Sequence, residues 1–242
     1  MSQITILLLY LLAALAFAAS RLPRFNSGSR ALLVFAVLFA AVGVLLHGHG
    51  LIDEVIQASG LSVSLAGAVS LIGLQLAIIG LFGAIEPSLR GMAAGLLLLA
   101  AVAIIPMDMQ PEVPAASDLT WQIQAHILIA MFAYGLLTAG AIIAVFALVQ
   151  DRRLKAGLLS SGNQLFAPLE KTERVLYGVA SAGIAVLAMS MALGITFVEN
   201  LFAQHLVHKT VLSIGAWLVF AILLWGRWRF GWRGRTAIRW AV

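Results

Sequence analysis

The sequence predicts an all-α fold: a polytopic transmembrane helical bundle of about seven spans, forming one integral membrane domain over residues 1–242. Three observations carry that expectation. First, 62% of the residues are hydrophobic and 10% charged, with a mean hydropathy of +1.03, so there is too little polar surface to coat a water-soluble globule. Second, apolar stretches follow one another at 4–20, 31–47, 61–85, 91–106, 124–149, 175–198 and 210–226. Each is long enough to cross most of a hydrocarbon layer about 30 Å thick as a helix, which satisfies its own backbone. Third, the connections alternate in charge. Residues 21–30, 86–90, 150–174 and the tail after 226 hold 14 of the 15 Lys and Arg, leaving only Lys209 on the other side. Basic loops stay cytoplasmic, so the N-terminus is expected outside and the C-terminus inside.

The elements follow in order. Ile4 to Ala19 has no basic residue before it and Arg21, Arg24 and Arg30 after it, the reverse of a cleavable signal peptide, so it reads as a retained first span. The second stretch ends in LLHGHG, with His47 at its close. Gly91 with Gly95, Gly135 with Ala139 and Gly140 with Ala144 place small residues four apart, which lets membrane helices approach closely. Pro106, Pro111 and Pro114, with Asp108, Glu112 and Asp118, predict an outer acidic loop over 106–120, either a short lid or a plain solvated connection. The inner loop over 150–174 is the longest. Its Leu158, Leu159, Leu165, Phe166 and Leu169 suit a segment lying on the inner membrane surface. The last stretch is uncharged from Thr210 to Trp225. It then passes into Arg227, Arg229, Arg233 and Arg235 alternating with Trp228, Phe230 and Trp232, a basic and aromatic cytoplasmic boundary.

Charge and composition exclude several functions. A net charge of +5 and a pI near 10.2 would suit nucleic acid in a soluble protein, but here the basic residues sit in short loops, so the bilayer is the partner and nucleic acid is not. The absence of cysteine removes disulfides and thiolate chemistry. No predicted span carries an acid or base at its middle, which argues against an ion-coupled pump, and Glu86 and Glu199 read as interfacial caps. No nucleophile elbow, P-loop or dinucleotide fingerprint occurs in a plausible context, so no enzymatic activity is expected.

All five histidines, His47, His49, His126, His205 and His208, fall at or just beyond the outer ends of predicted helices. Neutral imidazole is a common metal ligand, and two from different helices can hold a haem iron axially. His126 opens the fifth span and His208 the seventh, which makes them the candidate cofactor ligands, with His47 as an alternative. His49 and His205 read as boundary residues. His205 and His208 have a spacing that can bind zinc, but no carboxylate and third histidine accompany them.

Three stretches, HILIAMFAYGLLTAG from His126, FAPLEKTERVLYG from Phe166 and HKTVLSIGAWLVFAILLWGRWRFGWRGR from His208, resemble the cytochrome c assembly superfamily, in particular its HemX-like or YpjD-like inner-membrane branch. The likeness is strongest over residues 120–235, with LLHG at 45–48 similar to an early leucine-histidine element. It implies a multi-pass protein of the bacterial inner membrane whose outer histidines ligate haem b, with His126 matching best and His208 matching the HemX-like branch. Haem-handling or cytochrome c maturation proteins would be the partners. The haem-synthetase branch carries a tryptophan-rich segment ending in WDPKE before the seventh span, where this chain has ENLFAQHLVHKT; members commonly continue into an eighth span, where this sequence stops at Val242. The first expectation is therefore haem binding through His126 and His208. The alternative is a cofactor-free membrane scaffold or regulator, linked to tetrapyrrole metabolism, that acts through partner contacts.

Overall fold

A computed structural model describes residues 3–22, 29–57, 60–62, 64–108, 119–156, 168–197 and 204–230. Seven helices follow: α1 Gln3–Ala19, α2 Ser29–Val55, α3 Leu65–Gly83, α4 Arg90–Asp108, α5 Trp121–Lys155, α6 Leu169–Phe197 and α7 Gln204–Phe230. All but α1 are long and apolar enough to span a bilayer; α1, with 17 residues, is shorter. The protein is thus a helical membrane protein, as its composition requires. The expected inner-surface segment, the 106–120 loop beyond Asp108 and most of the basic tail fall on 157–167, 109–118 and 231–242, outside the described residues.

The chain divides into two compact units, residues 1–117 with 152–172, and residues 118–151 with 173–242. In the first unit α1 packs on α2 and α4, α2 on α3, and α3 most closely on α4. Each helix buries one stripe: Ile6, Tyr10, Ala13, Ala14 and Phe17 on α1, and Ala36, Ala40, Gly43, His47, Leu51 and Val55 on α2. That spacing of three and four is the helical repeat, here set among apolar outer faces because lipid surrounds them. Glycine sets the tightest contact. A Cβ on Gly73 would lie 2.7 Å from Ala103 Cβ and 3.3 Å from the Ala100 carbonyl, and one on Gly80 would lie 3.3 Å from the Ala93 carbonyl. Rising numbers on α3 meet falling numbers on α4, so the two helices are antiparallel and nearly touch backbone to backbone. Gly91 and Gly95 are half-buried on α4.

Several elements depart from expectation: α5 runs to Lys155 and α6 begins at Leu169, both inside the stretch 150–174 expected as a loop, and α7 extends past both ends of 210–226. The second helix does not stop at His47 but runs eight residues further, through Gly48, His49 and Gly50 to Val55. Two helical glycines cost about 1 kcal/mol each relative to alanine. Burial of Leu51 and Val55 offsets that, and His49 Nδ1 meets Asp53 Oδ2 one turn on at 2.8 Å. Beyond it, Ile56–Gln57 and Gly60–Leu61 form a short antiparallel pair, which Gly60 permits with a φ of 126°. Ser64 then caps α3 by accepting the Gly67 N–H at 2.8 Å. Likewise α4 continues through Pro106 to Asp108, past the predicted helix end.

In the second unit α5 buries Gly135, Ala139, Gly140, Ala144 and Ala147, so both small-residue pairs predicted on this helix are packed. Gly183 of α6 lets Leu137 in: a Cβ there would lie 2.7 Å from Leu137 Cδ2. Gly140 faces Leu176 of α6 and Phe220 of α7. Tyr134 of α5 and Ser213 of α7 are joined through their hydroxyls. At the end where α6 begins and α7 finishes, the Arg227 guanidinium lies 4.5 Å from the Tyr177 ring centre and 3.9 Å from the buried Glu173 carboxylate.

Candidate histidine site

His126 lies in the second turn of α5, whose start is tied down by Gln124: its side chain donates to the Leu119 carbonyl at 2.7 Å, and its N–H closes on Thr120 at 3.0 Å. The half-buried imidazole faces α6, with Nδ1 at 2.9 Å from the carbonyl oxygen of Ser190. A carbonyl only accepts, so Nδ1 carries the proton and the lone pair belongs to Nε2. The buried Ser190 hydroxyl reinforces this from the side, 3.3 Å from Nδ1 and 3.4 Å from the His126 carbonyl. One turn on, Gly194 leaves the ring its space. A Cβ there would sit 3.0 Å from Cε1 and 3.7 Å from Nε2. Among the described residues Nε2 has no hydrogen-bond partner. One nitrogen bonded to a backbone carbonyl and the other left basic is the usual state of a histidine that binds metal.

His47 is different. It is 1% exposed, inside the first unit, with Nε2 at 2.7 Å from Ser70 Oγ and Nδ1 at 3.1 Å from the Tyr10 hydroxyl. Both nitrogens are engaged, so coordinating iron there would require giving up one of two buried hydrogen bonds. The helix also runs on beyond it, so His47 is a core residue of α2 and not the last residue of a span. His49 is exposed and paired with Asp53. His205 and His208 belong to the first turns of α7, which begins at Gln204; their side chains lie outside the described residues. No three His, Asp or Glu side chains converge on a metal position among the described residues.

Some polar chemistry escaped the sequence reading. Ser190 and Gly194 looked like ordinary small residues of a membrane helix, and only their separation of four, one helical turn, marked them as sharing a face. Asp151 and Glu173, buried near helix ends, were read only as loop charges.

A multi-pass helical bundle with an oriented, half-buried histidine on one span is the class that this geometry defines. The family model described as cytochrome C assembly protein matches residues 2–242, and the chain belongs to that family. It is 35% identical over 113 residues to the inner membrane protein YpjD of Escherichia coli K12, a match covering 47% of this chain and 43% of YpjD. It is 31% identical over 131 residues to an uncharacterized 28.8 kDa protein of Azospirillum brasilense, covering 53% of this chain and 48% of that protein. Each match thus covers less than half of the relative's length. No solved structure matches the chain.

Proposed function

We propose that the chain holds haem b noncovalently at one face of a bacterial inner membrane and hands it to, or presents it to, proteins of cytochrome c maturation. His126 supplies one axial nitrogen through Nε2, and His208, at the start of α7, supplies the other. The observation that carries this reading is the Nδ1 contact of His126 with the Ser190 carbonyl at 2.9 Å, which fixes the ring and leaves Nε2 basic. Gly194 fits the same role, because any side chain there would crowd the imidazole edge. Haem, when bound, supplies an iron that takes two imidazoles and a macrocycle that takes apolar contacts. The protein's own work is to hold and orient, and the reading includes no bond-making step.

The direct test compares oxidised and reduced absorption spectra of protein purified in mild detergent from haem-replete cells with those of a His126→Ala, His208→Ala double variant. A bis-histidine spectrum in the parent alone supports the site. A colourless parent refutes it and leaves a cofactor-free scaffold, whose partners crosslinking would then identify.

A further inference from the structure

One end of the first unit carries an apolar groove of about 300 Å³, at the lower limit of ligand clefts. Its floor is Leu33, Val37 and Ala41, one face of α2, and its other wall is Phe82 and Ile85, where α3 runs out. From Leu33 to Ala41 the helix rises roughly 12 Å. Among the described residues the single charged lining residue is Arg90, at the start of α4, whose Nε donates to the Ala84 carbonyl at 3.4 Å and so is held at the groove. Arg21, two residues beyond α1, adds to the positive potential at this end of the unit. Arg30 lies exposed on α2 three residues before Leu33, on the same face as the groove floor. The acid acting on Arg90 is Glu86, and its Oε1 is already bound by Lys171 at 2.8 Å and by Ser88 at 3.0 Å.

An apolar furrow with a cation held at its end is complementary in charge and shape to an anionic phospholipid. We propose that it binds one anionic glycerophospholipid, with the phosphate on Arg90 and one acyl chain along Leu33, Val37 and Ala41. Cationic pockets between membrane helices hold anionic headgroups by this combination. The Arg90 guanidinium favours a headgroup with net negative charge over a zwitterionic one, which carries its own ammonium. The site is independent of the haem reading, because it uses neither histidine.

Native mass spectrometry tests it on the full chain, offered equimolar phosphatidylglycerol and phosphatidylcholine with the same acyl chains. The parent is expected to retain phosphatidylglycerol in preference, and Arg90→Gln to lose about fivefold of that preference. Ala41→Phe, which keeps the arginines but fills the floor, is expected to lower retention of phosphatidylglycerol. Equal retention of the two lipids by the parent overturns the proposal, as does an undiminished preference in Arg90→Gln. Displacement by glycerol phosphate as effective as by the intact lipid would overturn the acyl-chain half.

Discussion

His126 Nδ1 and the Ser190 carbonyl oxygen meet at 2.9 Å across 64 residues of chain, joining the start of α5 to the last third of α6. The contact decides the tautomer of the neutral ring, because the carbonyl has no proton to give. It is made by a backbone atom, so no substitution of the Ser190 side chain abolishes it. Ser190→Ala is therefore expected to retain bound haem, with a cost of about 1 kcal/mol from the lost hydroxyl contacts. Absorption spectra and thermal unfolding in detergent check the two halves separately.

Gly194 is the position where a small change moves the ring. A Cβ 3.0 Å from Cε1 forces the imidazole to give by a few tenths of an ångström. Gly194→Ala is expected to weaken haem retention while costing about 1–3 kcal/mol of stability, the usual range for overpacking. Gly194→Val should abolish retention. Haem loss to an excess of apomyoglobin, followed at the Soret band, measures it.

His47 is expected to contribute stability and not colour. Changing it to alanine leaves the Tyr10 and Ser70 hydroxyls buried without their partner and opens a cavity, a loss of about 2–5 kcal/mol. Tyr10→Phe removes one hydrogen bond and should cost about 1 kcal/mol. Unfolding midpoints in detergent should rank the parent above Tyr10→Phe and Tyr10→Phe above His47→Ala, with the spectrum of folded Tyr10→Phe unchanged.

Much of this was legible in the sequence. Lipid solvation, helix number and order followed from hydropathy, because a spanning segment has to close its own hydrogen bonds. His126 stood out as a lone imidazole opening an apolar stretch. What could not be read was which side chains are partnered. The two glycines after His47 looked like a helix stop, yet α2 continues because Leu51 and Val55 are buried by tertiary packing that local propensity does not contain. The close backbone contact between α3 and α4 uses Gly73 and Gly80, seven apart. Two turns separate those residues on one face, so a search for single-turn spacing passes over them.

Glu86 gives a pH-dependent handle outside the spans. The hydrogen bond from Lys171, with those from Ser88, holds its carboxyl below the usual value of 4.5. A depressed carboxylate contributes stability that is complete above its unfolded pKa and disappears as pH falls through the folded one. Glu86→Gln should therefore lower the unfolding midpoint by a constant amount above about pH 5, and the gap to the parent should close on acidification below about pH 4. Midpoints measured for both proteins from pH 3 to 7 decide it; a gap that persists at the acid end would mean that the glutamate acts through packing and not charge.

Arg227 is the basic residue whose role differs most from its sequence reading. It stands at the head of the tail expected to lie on the cytoplasmic side, but its guanidinium packs 4.5 Å over the Tyr177 ring, with Glu173 Oε2 at 3.9 Å. A planar guanidinium can stack on an aromatic face, which an ammonium cannot. Arg227→Lys keeps the charge yet should lose part of the cation–π energy, about 0.5–2 kcal/mol. A double-mutant cycle with Tyr177→Leu isolates that energy, since the ion pair with Glu173 is common to the arms that retain Arg227. A coupling within that range assigns the arginine to holding α7 against α6; a coupling near zero, with topology reporters unchanged, would return it to the role of an orienting charge.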